Sequence, residues 1–232
     1  MLIVINLIYE TFDPEIHDVF KVASLSYDVD FRTFDLFFKN KDEAIKAIAK
    51  SFQSEDCNTF KVILDDDKNI VGILIYYISK YPKNFNFKSF RLLLVDILDY
   101  FVLCDVGSGD LYIAEIAIDS SLRGQGLGRK VLNDVIEYAK SKNLKRVILD
   151  ADFRNFQAKS LYEEMGFKEF NKKRIKFGKF ERGMYNMELK IEWLVMFLFI
   201  IRLYSFFNKI QFFYFFFRVI KSCHNYNYCT IT

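Results

Sequence analysis

Residues 116–140 read IAIDSSLRGQGLGRKVLNDVIEYAK, and the reading of this stretch decides the fold. It opens as an apolar strand, passes through a loop with glycines at alternate positions, and continues as an amphipathic helix. Gly124, Gly126 and Gly128 let the backbone take angles that other residues avoid, which frees several consecutive N–H groups. Leu127, Val131, Val135 and Tyr138 then recur at helical spacing and give the helix one apolar stripe. Exposed amides at a helix N-terminus attract anions, so the stretch reads as a phosphate cradle.

Two familiar cradles are excluded. A P-loop needs Lys and then Ser or Thr after its last glycine, but Gly128 is followed by Arg129, Lys130 and Val131. The dinucleotide fingerprint needs a glycine three residues after its second, and counted from Gly126 that place is Arg129. What remains is Arg123-x-x-Gly126-x-Gly128. Downstream, residues 146–167 read RVILDADFRNFQAKSLYEEMGF. Val147-Ile148-Leu149 is a buried-strand run, Asn155 can cap a helix, and Gly166 can end that helix with Phe167 packing after it.

These two stretches resemble motifs A and B of the GNAT acyltransferase family. Motif B is carried by Asn155-x-x-Ala158-x-x-x-Tyr162-x-x-x-Gly166-Phe167, with each member matched and in family order. The resemblance implies an α/β (α+β) fold with a mixed, mostly antiparallel central sheet flanked by helices. It implies an N-acetyltransferase that moves the acetyl group of acetyl-CoA, as cosubstrate, directly to a primary amine of a small molecule or peptide. The backbone of Arg123, Gly124, Gln125, Gly126, Leu127, Gly128 and Arg129 would hold the pyrophosphate. Ile116, Ala117 and Ile118 would pair with the pantetheine arm and stabilise the oxyanion, and Asn155 would touch the coenzyme through its amide. Tyr162 would protonate the departing thiolate.

Acyl transfer to an amine also needs a neutral nucleophile. A Lys side chain of pKa about 10.4 is overwhelmingly protonated at pH 7, an α-amine of about 7.7–8.0 keeps a sizeable free-base fraction, and a base matters most for the former. Two carboxylates are candidates. Glu115 precedes Ile116 on the central strand, where several members carry their base. Asp150, five before Asn155, matches the base position of the ribosomal-protein N-terminal acetyltransferases, where a longer Glu stands. A GNAT-like module that binds acyl-CoA without catalysis is the alternative, and the presence of Tyr162 favours the enzyme.

Composition narrows the setting. The chain of 232 residues carries 33 basic and 30 acidic side chains. From Ile191 on, Glu192 is the one acid beside Arg202, Lys209, Arg218 and Lys221, so the remainder is neutral and has no electrostatic reason to bind nucleic acid. Cys57, Cys104, Cys223 and Cys229 form no CxxC, which fits a reduced, cytoplasmic setting. Asp65, Asp66 and Asp67 read as a solvated turn, since no further ligands stand at calcium-loop spacing, and no metal is expected.

Along the chain the patterns predict a strand over Leu2–Leu7, which is short and lacks the basic flank of a signal peptide. Helices are expected over Glu15–Tyr27, with Ile16, Phe20 and Ala23 on one face, and over Asp42–Phe52. A hairpin follows over Thr59–Leu64 and Ile70–Ile78, then a helix within Phe85–Leu103. The strand Leu111–Asp119, helix Leu127–Lys142, strand Arg146–Ala151 and helix Phe156–Met165 carry the two motifs. Phe167–Phe180 and Met184–Lys190 close the sheet. The resemblance assigns the acceptor pocket to Asp28–Phe52 and Phe85–Leu103, neither of which names the amine.

The catalytic domain is therefore expected to span residues 1–190. Residues 191–232 form an apolar, aromatic-rich tail with the run Phe212-Phe213-Tyr214-Phe215-Phe216-Phe217. A span needs about 20 apolar residues, and Arg202, Asn208, Lys209 and Gln211 interrupt these. Three readings stand open: membrane association through residues 193–220, a dimerisation helix, or a non-native extension of an AT-rich gene read past its end. Nothing in the tail carries chemistry, so a chain ending near Ile191 is expected to fold and to be as active on a soluble acceptor.

Overall fold

The computed structural model describes residues 6–52, 59–80, 89–178 and 180–191. Strand β1 (Ile8–Thr11) leads into helices α1 (Val19–Val29), α2 (Phe31–Phe37) and α3 (Lys41–Phe52). The hairpin β2 (Phe60–Leu64) and β3 (Ile70–Ile78) precedes α4 (Phe90–Val102). Then come β4 (Asp110–Ile118), α5 (Leu127–Ser141), β5 (Arg146–Asp152), α6 (Phe156–Glu164) and the closing pair β6 (Lys168–Phe177) and β7 (Phe180–Lys190). The seven strands form one sheet in the order β1-β2-β3-β4-β5-β7-β6. Only β4 and β5 run parallel, so the expected mixed, mostly antiparallel sheet is what forms.

One face of the sheet is covered by α5 and α6, through Val131, Leu132, Val135 and Ala139 against Leu111, Ile113, Val147 and Leu149. Tyr138, placed on this stripe by its spacing, lies at the stripe's margin with 36% of its surface exposed. The opposite face packs on α1 and α3 through Val22, Ala23, Ile48 and Ala49. A smaller cluster of Cys104, Tyr112 and Ile148 continues that face beneath the end of α4.

Several boundaries differ from the sequence reading. The strand expected at Leu2–Leu7 lies largely outside the described residues; Asn6 and Leu7 are not strand, and pairing starts at Ile8. Ile8 sits opposite Leu64, the last residue of β2 before the Asp65 turn. In that turn Asp65 Oδ1 accepts the N–H groups of Asp67 and Asn69 at 3.0 and 2.8 Å.

The first helix starts at Val19, not Glu15, because Asp18 caps it by accepting the N–H groups of Phe20 and Lys21. Residues Asp13–His17 instead form a turn on the Asp13 carbonyl. The apolar face accordingly rotates: Ile16 and Phe20 are 75% and 59% exposed, and Val22, Ala23 and Leu25 are buried. Helix α2 was not expected, being a single short segment without apolar periodicity. The final turn falls at Gly178, whereas Gly183 lies inside β7 because the Phe153 ring covers its bare Cα.

The joint between β3 and β4 is tight. A Cβ on Gly72 would stand 2.5 Å from the Ala117 carbonyl oxygen, a backbone atom that cannot step aside. Gly72→Ala should therefore cost about 1–3 kcal/mol, as overpacking does. For a domain of this size that is a fall in Tm of roughly 3–10 °C. An unchanged melting curve would refute the close approach.

Candidate active site

Both motifs emerge at the same end of the two parallel strands, β4 running into α5 and β5 into α6. The parallel ladder pairs Asp110, Leu111, Tyr112 and Ile113 with Arg146, Val147, Ile148 and Leu149, and there it stops. β4 stays paired with β3 as far as Ile118, and β5 with β7 as far as Asp152. The two strands therefore part beyond Ile113 and Leu149.

The cause lies in β4. Ile75 sits opposite Glu115 and Tyr76 opposite Ile113, so Ala114 is one residue too many and forms a bulge. A bulge bends and twists the strand that carries it. Past the bulge, the Asp119 N–H donates to the Val71 carbonyl at 2.8 Å, which fixes the alternation. Glu115 and Ala117 turn their peptide groups toward β3, and Ile116 and Ile118 turn theirs toward the gap. The side chains of Ile116 and Ile118 pack on the α5 side. Ala117 packs on the α1 side, and alternation sends Glu115, half-buried, to that same face.

Between β4 and α5 the backbone forms a short turn over Ser120–Leu122, capped by Asp119. Asp119 also pairs with Lys21 of α1, and these bonds hold its carboxyl down to about 2. Gly124 and Gly126 then take φ of +80° and +76°, angles at which a Cβ would be strained. Gly126 is the N-cap of α5, and Lys130 makes the first helical bond, to the Gly126 carbonyl at 3.0 Å. The backbone N–H groups of residues 124–129 donate to no acceptor among the described residues. No acidic side chain stands in the first turn of α5, and the helix dipole adds positive potential there. Such a row fits a diphosphate group.

Arg129 pairs with Glu164 and ties α5 to α6. Asn155 caps α6 by accepting the Ala158 N–H at 3.1 Å, which leaves its amide nitrogen as a donor for a ligand. Gly166, at φ +92°, closes α6 as the sequence implied, with the Phe167 N–H bonded to the Tyr162 carbonyl. Tyr162 is buried on the inner side of α6. Its hydroxyl has no hydrogen-bond partner among the described residues. Burial first, and then the charge of Asp150, push it up to about 12.

Asp150 projects to the other face of β5. Its Oδ2 accepts the Cys104 N–H at 3.1 Å and the Tyr112 hydroxyl at 2.9 Å, and its Oδ1 accepts the Asn186 amide. Burial raises its pKa against the pull of these donors. Asp152, on the same face, is held by Arg154, which lowers its pKa against the effect of burial. Asn186 escaped the sequence reading, although a polar residue inside the apolar run of β7 is a signal of its own. Arg182, four residues earlier, is buried and clamped by Asp30 and Asp99, joining β7 to α2 and α4.

Fold and site together define the class to which motifs A and B pointed. The chain belongs to the acetyltransferase (GNAT) family, whose family model matches residues 27–167, more than half of its length. It is similar to the N-alpha-acetyltransferase 30 of Schizosaccharomyces pombe, with 31% identity over 97 residues, 40% of this chain and 62% of that protein. It is also similar to the glucosamine 6-phosphate N-acetyltransferase of Trypanosoma brucei brucei, with 35% identity over 57 residues, 25% of this chain and 37% of that protein. The chain thus spans less than two thirds of these curated relatives. Among solved structures, an N-acetyltransferase from Staphylococcus aureus Mu50 superposes with a TM-score of 0.55 at 21% identity, over 78% of this chain and all of that one, a likeness of fold.

Proposed function

We propose that this chain is an acetyl-CoA-dependent N-acetyltransferase acting on a primary amine. The observation that carries the reading is the row of unpaired N–H groups over residues 124–129, set at the mouth of the gap between β4 and β5. When bound, acetyl-CoA supplies an acyl group already activated by a thiolate leaving group. Residues Gly124–Arg129 hold its pyrophosphate by backbone donation, and Arg123 and Lys130 add charge nearby. The free peptide groups of Ile116 and Ile118 pair with the amide-bearing arm, as a missing strand would, and a backbone N–H at this edge holds the oxyanion. Ala117 contributes by keeping that edge in register with β3.

Glu115, on the face opposite α5, takes the proton that the amine must lose to attack. Tyr162 donates its hydroxyl proton to the sulfur as the carbon–sulfur bond breaks. A phenol held near 12 stays wholly protonated at neutral pH, so it acts as a donor and never as the base.

Thiol release from acetyl-CoA across a panel of polyamines, aminoglycosides and N-terminal peptides tests the reading. Tight coenzyme binding without release on any amine would leave the binding module in its place. Glu115→Gln should slow the reaction about 10²-fold with a lysine-type acceptor and less with an α-amine, because at pH 7 an α-amine already supplies a sizeable free-base fraction and a lysine almost none. An equal loss on both acceptors would remove Glu115 from the role of base.

A further inference from the structure

The pair formed by Asp150 and Asn186 does more than fill a strand position. The two are direct partners across β5 and β7, and Asn186 is wholly buried. The Asn186 amide donates both to Asp150 Oδ1 and to the Val102 carbonyl, at 3.2 Å in the second case. Cys104, two residues past Val102, donates its N–H to Asp150 in turn. The end of α4 is thus stitched to the sheet from both sides, and Lys173 adds a third stitch to the Leu103 carbonyl at 2.8 Å. Tyr112 completes the set through its hydroxyl, and it stands two residues before the Ala114 bulge. Ala114 itself packs against the cluster of Cys104, Tyr112 and Ile148.

Donors occupy the Asp150 carboxylate on both of its oxygens, and the Cys104 thiol stands with them. A proton arriving on Oδ2 would compete with Cys104 and Tyr112, and one on Oδ1 with Asn186. Each would loosen the wall on which the bulge rests. We propose that Asp150, paired with Asn186, is a positioning residue that fixes the end of α4 and Tyr112 behind the Ala114 bulge, and that it accepts no proton in the reaction. The role rests on the acyl-transfer reading given above.

Exchanging the pair tests this. Asp150→Asn sets two amides against each other, and Asn186→Asp sets two carboxylates. Each single variant should lower Tm by roughly 3–10 °C, as loss of a buried hydrogen bond does in a domain of this size. The double variant Asp150→Asn/Asn186→Asp restores donor to acceptor between the two strands, while a carboxylate oxygen then faces the Val102 carbonyl in place of its donor. It should recover most of the lost Tm, and Asp150→Asn should raise the acceptor KM more than it lowers kcat. The double variant should then regain thiol release, on the best amine of the panel, to within about tenfold of the parent chain. Additive losses of Tm in the double variant would overturn the pairing. Recovered Tm with thiol release abolished in both Asp150→Asn and the double variant would also overturn the proposal, because a base moved one strand away, about 5 Å, can no longer reach. Should the parent chain release no thiol with any amine, the acyl-transfer reading fails by itself, and the Tm cycle still decides whether the pair positions α4.

Discussion

Tyr162→Phe should leave the affinity for acetyl-CoA nearly unchanged and lower turnover about 10²–10⁴-fold, the range that a positioned general acid contributes. The ring keeps its packing against Phe167, so the loss is that of one hydroxyl. The same hydroxyl leaves a mark on stability. Its pKa in the folded chain, about 12, lies above the ordinary value of 10. A raised pKa means that the stability present below about pH 10 is lost as the pH climbs through 12, because the unfolded chain ionises first. Tyr27 and Tyr76, each pushed up to about 12 chiefly by burial, fail in the same window. The Phe variant should therefore resist alkaline unfolding slightly better than the parent while turning over far more slowly. Calorimetry with the coenzyme, thiol release and melting curves at pH 9 and 11.5 measure the three quantities. Turnover within twofold of the parent would show that the thiolate leaves with a proton from water.

Gly126→Val should abolish acetyl-CoA binding within the range that calorimetry reads, a loss of about 100-fold or more. A β-branched residue at φ +76° is strained by about 1–3 kcal/mol, and relief of that strain must re-aim the N–H row. Space is not the obstacle, since a Cβ there would meet nothing within 4 Å. Gly128 provides the contrast. Its φ is ordinary, and a Cβ would touch only Leu161 at 3.9 Å, so Gly128→Ala should fold at least as well as the parent. If that alanine weakens the coenzyme, the ligand itself comes close to the backbone at this point. Unchanged affinity in folded Gly126→Val protein would falsify the placement of the phosphates.

The sequence made the centre of this protein legible and its margins less so. Gly126, Asn155 and Gly166 announce themselves because each satisfies a local backbone demand, at a loop, a cap or a helix end. Strands β3, β4 and β5 are long apolar runs between turns, and their ends fell within a residue of expectation. What stayed hidden depends on partners far along the chain. The bulge at Ala114 appears only in the register with β3, and the donors of Asp150 come from α4, β4 and β7. Helix α1 was misplaced by one turn because Asp13 and Asp18 both offer a cap, and local pattern does not choose between them. The break expected between Phe180 and Met184 is strand, and nothing nearby in sequence reveals the Phe153 ring above Gly183. The tail beyond Ile191 and its three readings lie outside the described residues.

The surplus residue at Ala114 has a cost in ladder bonds between β4 and β5. Without it, Ile113 and Glu115 would become neighbours, and the sheet would alternate regularly from Asp110 to Ile118 with every other side chain still on its present face. Nothing then would prevent β4 from zipping onto β5 along its whole length, gaining the ladder bonds it now forgoes. On the reading proposed above, a chain shorter by this one alanine would exchange the gap meant for acetyl-CoA for added ladder bonds. On that reading, pairing gained at this strand is gained at the expense of the site, the trade-off that functional sites commonly carry.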